Sequence, residues 1–506
     1  MKFAFLGLYV LIMVAIALYS MKRVNSLQDF FLGGRNVGPW MSAFAYGTTY
    51  FSAVIFIGYA GSIGWGFGLS GVWIGIGNAL LGSYLAWVVL ARRTRRLTHH
   101  LNVSTMPEFF EKRYQSKNMK IFSALIIFIF LVPYSASVYQ GLGYLFEQVF
   151  SVPYIYCMII MAVVTGFYLL LGGYLATALS DFVQGIIMIS GVILMIGFIL
   201  IHPNVGGLAE GLVKLRSIDP RLIAPVGPGG LVPLMSLAVL TSLGSWGLPQ
   251  MIHKFYAIKD DKAVVRATTI STLFAVLVAG GAYFTGAFGR LFLNNTMPLD
   301  PVTGAANADM IMPQALQIAL PEWLLGIIVI LVLSASMSTL SSLVLVSSSA
   351  ISMDLVHGVI APQMKKERVV LLMRGLCILF VVLSFIIAVG KISAILTLMS
   401  FSWGTVAGSF LAPFLYGLYW KGVTRAGAWA GLISGCGTSL LLAVTTGLNT
   451  GQAPLIGAVA MLVSLIVVPV VSRFTPKFSN AHIEEIYGSD RAGKLPDAPG
   501  IKADPV

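Results

Sequence analysis

The chain has 506 residues, 57% apolar and 10% charged, with 30 Phe, 19 Tyr and 9 Trp and a mean hydropathy of +0.88. Soluble domains carry roughly a quarter charged residues, so this balance excludes a soluble cytosolic enzyme, a nucleic-acid binder and a disordered chain, and leaves an integral membrane protein. The excess of 32 Lys+Arg over 19 Asp+Glu, net +13, is the kind that basic cytoplasmic loops produce.

Thirteen apolar runs are long enough to cross ~30 Å of hydrocarbon: 3–21, 41–64, 68–90, 121–149, 153–171, 177–201, 231–251, 268–293, 322–352, 370–389, 392–420, 427–447 and 453–472. Runs of this length satisfy their own backbone in lipid as helices, so the expected fold is an all-α integral membrane bundle of thirteen transmembrane helices. The first run lacks a small-residue cleavage site and reads as a retained helix. An odd number of spans puts the termini on opposite sides. With the N-terminus outside, 26 of the 32 Lys and Arg fall in inner loops, which predicts a multi-pass protein of the cell membrane with its C-terminus cytoplasmic. The cluster Arg92, Arg93, Arg95 and Arg96 reads as a topology anchor against the lipid bilayer.

The Pro- and Gly-rich linker 202–230 divides runs two to six from runs seven to eleven. The expected parts are 1–40 (N-terminal helix and basic loop), 41–201 and 231–420 (two five-helix groups), 421–473 (two accessory helices) and 474–506. The last part lacks apolar periodicity and is expected to be a mobile cytoplasmic end. Cys157, Cys377 and Cys436 lie far apart inside apolar stretches and read as small buried hydrophobes. His99, His100, His202, His253, His357 and His482 fall in polar loops or at segment ends and are expected to be solvated.

Gly and hydroxyl residues interrupt the second and seventh runs at corresponding places: Tyr46-Gly47-Thr48-Thr49-Tyr50-Phe51-Ser52 and Thr241-Ser242-Leu243-Gly244-Ser245-Trp246-Gly247-Leu248-Pro249-Gln250. Matching interruptions in two halves mark discontinuous helices at a transport site; close helix packing is the other reading. The ninth run carries Ser334-Ala335-Ser336-Met337-Ser338-Thr339-Leu340-Ser341-Ser342, whose hydroxyls at 338, 341 and 342 share one helical face. Such a band of neutral oxygens suits Na⁺, unless the hydroxyls bond back to their own helix. Asp181 is the one ionisable side chain other than tyrosine between Gly166 and Ile201. An intramembrane carboxylate needs a partner; either a cation shared with the ninth run supplies it, or Asp181 caps a helix near a turn at Gly172-Gly173.

At these residues the chain resembles the sodium:solute symporter family, which includes proline, pantothenate, sialic acid and sodium/glucose transporters. The resemblance rests on Asp29-Phe30-Phe31-Leu32-Gly33-Gly34-Arg35, Gly172-Gly173-Tyr174 with Asp181, Ser338-Thr339, and Tyr419-Trp420-Lys421 with Arg425-Ala426-Gly427-Ala428. It implies a LeuT-like inverted 5+5 repeat and sodium-driven alternating access, with Na⁺ as coupling ion and no other cofactor. It implies a main sodium site at Thr48, Phe51, Ala335, Ser338 and Thr339. By likeness to the sialic acid transporter it also implies a second sodium at Asp181, Ser338, Ser341 and Ser342.

Proline transporters carry an acidic residue where this chain has Tyr50, a Trp at Val54 and a Tyr at Ser245, so the resemblance departs from them there. Gly247-Leu248-Pro249, Thr49-Tyr50 with Phe56-Ile57-Gly58, and Ile218-Asp219-Pro220 look more like the pantothenate transporter. The expected solute is therefore a small organic anion or zwitterion, pantothenate-like. An amphipathic solute needs a few polar groups on an aromatic wall, for which Ser52, Trp246, Gln250, Ser400 and Trp403 are the candidates. The competing readings are a proton-coupled symporter of proline or a monocarboxylate, and a receptor built on a transporter body. No nucleophile–base pair points to an enzyme, and no obligatory protein partner is evident.

Overall fold

The computed structural model describes residues 2–21, 33–300, 304–447 and 450–488. Its principal helices are α1 (Lys2–Met21), α2 (Pro39–Tyr50), α3 (Ala60–Phe67), α4 (Lys117–Phe150), α5 (Tyr154–Ile201), α6 (Leu231–Gly244), α7 (Pro249–Tyr256), α8 (Asp261–Ala287), α9 (Glu322–Ser349), α10 (Lys366–Val389), α11 (Ile395–Tyr419), α12 (Arg425–Thr445), α13 (Ala453–Phe474) and α14 (Asn480–Tyr487). All thirteen apolar runs are helical. Ten stretches among the described residues are long and apolar enough to cross a membrane unaided. The second and third runs meet in one helical stretch, Val54–His100, and the fifth and sixth meet in α5. The turn expected at Gly172-Gly173 does not break the α5 backbone, because a helix is the cheapest way to satisfy peptide groups in lipid even through glycine.

The serine-rich α9 is the most enclosed of these: 89% of its span's apolar window is buried, against 28% for α10. It packs against α2, α4 and α5, and α1 lies across α5 and α9. On the other side of α2, α8 supports both α2 and α3, while α11, α12 and α13 pack closely together, with α11 also against α4 and α13 against α6.

Two helices are broken. α2 ends at Tyr50, and Phe51 is extended (φ −113°, ψ 109°) before a short π-helical segment, Val54–Tyr59, leads into α3. α6 ends at Gly244, and Leu248 is extended before α7 opens on Pro249, as a residue preceding proline must be. The two half-helices on the same side are tied through their backbones. Val37 N–H donates to Ala257 O at 3.0 Å and Lys259 N–H donates to Val37 O at 3.2 Å, so the start of α2 and the end of α7 are held as a pair.

Three expectations need correction. His253 and His482 are buried, not solvated, because both sit on helices packed against the bundle. The segment after residue 474 is not wholly mobile: α14 docks through Tyr487 Oη, which donates to Gly417 O at 2.7 Å, and through the His482 ring 3.0 Å from Arg113 O. Residues 489–506 lie outside the described set, as does Asp29-Phe30-Phe31-Leu32. The arginine cluster, expected only as a topology anchor, also joins the fold, since Arg95 and Arg96 pair with Asp261 at 3.1 and 2.5 Å. The three cysteines are buried as expected.

Between α8 and α9, the turn Ala308–Met310 carries Asp309, whose Oδ2 accepts from the Ile395 N–H at the start of α11 at 3.0 Å. Burial pushes this carboxyl from 3.8 up to about 6. The folded state therefore holds the proton more tightly than the unfolded one. Its contribution to stability is fully present below the unfolded value and is lost as pH rises through about 6. The expected loss across that window is on the order of 2–3 kcal/mol. Thermal unfolding of purified protein followed from about pH 4 to about pH 8 checks it, with Asp309→Asn expected to remove this step from the profile.

Candidate functional site

The break after α2 leaves backbone groups without helical partners, and α9 supplies them. Ala53 N–H donates to Ser336 Oγ at 3.1 Å, and Val54 N–H donates to Ser52 Oγ at 3.2 Å. In the other direction, Thr339 Oγ1 lies 3.2 Å from Thr48 O, 3.1 Å from Thr49 O and 3.1 Å from Ala335 O. One hydroxyl proton cannot serve three carbonyls well. Ser338 Oγ donates to Thr48 Oγ1 at 2.8 Å, and Thr49 Oγ1 and Ser342 Oγ are 3.1 Å apart. Oxygen atoms from two helices thus crowd into a fully buried place with few protons among them, and neutral oxygens in that arrangement fit a monovalent cation.

Of the residues expected to hold the main sodium, Thr48, Ala335, Ser338 and Thr339 are brought together. Phe51 stands at the break with its ring 4.3 Å from that of Tyr50. The Thr49 carbonyl joins them unannounced, because only the position of the break decides which carbonyls are freed.

Asp181 lies in the interior of α5, fully buried, so it caps nothing. Its Oδ2 is 3.3 Å from Lys254 Nζ, and the two side chains are 0% and 2% exposed. The Ser338 hydroxyl is directed to Thr48 Oγ1 at 2.8 Å. Ser341 instead bonds back to Ser338 O at 2.9 Å, and Ser342 faces Thr49. Lys254 is absent from the sequence reading because the seventh apolar run stops short of it, leaving it among the loop charges.

Beside the break lies a small cavity of about 20 Å³. Ser52 and Trp403 line it as expected, together with Tyr59, Asn78 and Tyr134. Trp403 Nε1–H has no acceptor among the described residues. The remaining candidates sit elsewhere. Trp246 turns its Nε1–H to Leu81 O at 2.9 Å, Gln250 is buried outside the lining, and Ser400 supports the wall with its Oγ 3.1 Å from Tyr59 Oη. Asn78 carried a readable signal, a lone amide inside the third apolar run; its Oδ1 accepts from Thr241 Oγ1 at 2.8 Å and from Ser242 Oγ at 3.2 Å.

Residues 30–435 match the sodium:solute symporter family. The chain belongs to this family. It is 30% identical over 480 residues to the osmoregulated proline transporter OpuE of Bacillus subtilis (strain 168), covering 94% of this chain and 95% of that one. It is 31% identical over 442 residues to a sodium/proline symporter of Staphylococcus aureus (strain bovine RF122 / ET3-1), covering 85% and 83%. Among solved structures, a substrate-bound, outward-open Na⁺-coupled sialic acid symporter superposes with a TM-score of 0.76 at 16% identity, covering 94% of this chain and 99% of that one. The nucleobase-cation-symport-1 family transporter Mhp1, closed around bromovinylhydantoin, gives 0.52 at 15% identity, covering 90% and 97%. The fold is therefore the inverted-repeat fold of these transporters, and this symporter family member is a membrane transporter rather than an enzyme.

Proposed function

We propose that this family member couples the entry of Na⁺ to the uptake of a small carboxylate-bearing zwitterion, with proline as the leading solute. The observation that carries the reading is the cradle between α2 and α9, where Thr48, Thr49 and Ala335 carbonyls converge on the Thr339 hydroxyl. Na⁺ bound there braces the broken helix beside the solute cavity, and solute and ion then stabilise each other's binding by the same factor. With the N-terminus outside and the C-terminus cytoplasmic, each Na⁺ entering gains about 2.3 kcal/mol per 100 mV of membrane potential. The two five-helix groups, 41–201 and 231–420, are the halves that alternate.

The names of the two relatives, both proline transporters, support proline over the pantothenate-like solute expected from local motifs. Of the three departures from proline transporters, Ser245 gives little ground against this. Its Oγ is 3.1 Å from Gly82 O and 2.9 Å from Ser242 O, so it serves the break in the second helix. Tyr50 and Val54 do line the cavity, where they shape the selectivity among small zwitterions.

The unpartnered Trp403 indole N–H supports a solute with a carboxylate, since a buried donor without an acceptor costs about 1–3 kcal/mol. Trp403→Phe is expected to raise the KM for the solute about tenfold or more at little change in maximal rate, and initial uptake rates across solute concentrations check it. In proteoliposomes, labelled proline is expected to accumulate when Na⁺ is outside and not when choline replaces it, with excess pantothenate competing weakly. Equal accumulation in choline would refute sodium coupling; uptake of pantothenate but not proline would refute the solute.

A further inference from the structure

We propose that Lys254 is a built-in cation standing where a second sodium ion would sit, so that this transporter binds one Na⁺ and not two. The inference rests on the sodium cradle proposed above and concerns the neighbouring carboxylate. Asp181 is wholly buried on α5, and a carboxylate there requires a positive partner. The structure supplies one that is part of the chain: the Lys254 ammonium, itself 2% exposed, 3.3 Å from Oδ2.

The surroundings favour the ammonium over a free ion. Ser341 and Ser342 are the hydroxyls that would complete a sodium shell with Asp181 and Ser338; Ser341 donates to Ser338 O at 2.9 Å and Ser342 is 3.1 Å from Thr49 Oγ1, and neither is bonded to the carboxylate. Two cations on one buried carboxylate would also repel each other strongly at low dielectric. The tether gives the ammonium a permanent advantage over an ion drawn from solution, because the chain sets a high effective concentration. Removing the ammonium would reopen the position: among the described residues Asp181 Oδ1 has no hydrogen-bond partner, and Gln184 Oε1, one turn along α5, has none either.

The placement has a mechanical side. Lys254 belongs to α7, the half-helix held to the start of α2 by backbone bonds, so the ion pair pins that half to α5. The fixed ammonium keeps the charge of this spot constant through the cycle and leaves the α2–α9 cradle as the place where sodium enters and leaves.

Equilibrium binding of radioactive sodium to the purified full-length protein, without solute, tests this directly. Wild type is expected to saturate at one ion per chain. Lys254→Met is expected to bind two, and adding Asp181→Asn to Lys254→Met is expected to return the count to one, as is Lys254→Arg alone. Two ions bound by the wild type would overturn the proposal whether or not any variant folds, and so would a single ion bound by folded Lys254→Met. No saturable binding by the wild type would instead defeat the sodium cradle itself, which separates the two failures.

Discussion

Thr339→Ala is expected to abolish sodium-stimulated uptake at ordinary sodium concentrations while the protein still inserts. Thr339 Oγ1 is the atom on which the Thr48, Thr49 and Ala335 carbonyls converge, at 3.1–3.2 Å. Deleting it removes the proposed ion ligand and leaves buried carbonyls of the broken helix without a donor, at about 1–3 kcal/mol. The half-saturating Na⁺ concentration should therefore rise about 10- to 100-fold. Thr339→Ser should restore most of it. Ser338→Ala should cost less, because Thr48 Oγ1 already donates to Phe44 O at 2.8 Å and is not orphaned by the loss. Uptake against sodium concentration, normalised to inserted protein, is the measurement, and an unchanged sodium dependence in Thr339→Ala would remove the cradle assignment.

Gly64→Val should be among the most damaging single changes to the fold. A Cβ at Gly64 would lie 2.1 Å from Gly286 O and 2.2 Å from Gly286 C, and one at Gly286 would lie 2.1 Å from Ala60 O. These are backbone atoms, which cannot rotate aside, so α3 and α8 would have to separate along their whole crossing. Overpacking a core costs about 1–3 kcal/mol where side chains can adjust; here the loss should reach or exceed the top of that range. Since α3 follows directly on the break, its displacement would also carry the Thr48 and Thr49 carbonyls away from Thr339. Gly66→Ala, with nothing within 4 Å of the added carbon, is the matched control. Size-exclusion profiles and thermal unfolding in detergent decide between them, and a folded, monodisperse Gly64→Val would show that the α3–α8 contact is looser than these distances say.

Asp181 and Lys254 show why a membrane sequence gives up half of its polar chemistry. The carboxylate was conspicuous because nothing else near it in the chain could ionise. The lysine was hidden by its own neighbours, at the end of an apolar run where positive charge is commonplace. Their pairing joins residues 73 positions apart, and no periodicity encodes a separation of that size. Trp246 and Trp403 make the same point in the opposite direction. Both are large aromatic residues expected to wall the solute site, and only the turn of each helix puts one into the cavity wall and the other against Leu81.

Residue types and their spacing were enough to read a helical membrane bundle, the two interrupted spans and the hydroxyl band of α9, because lipid forces backbone bonding inward and tolerates oxygen-rich segments only where something uses them. Which carbonyls the break exposes, which serine turns toward them, and which charge answers Asp181 were settled by packing. Those contacts depend on how rigid helices rotate and cross over tens of residues, and each is decided by the sum of all the other contacts around it.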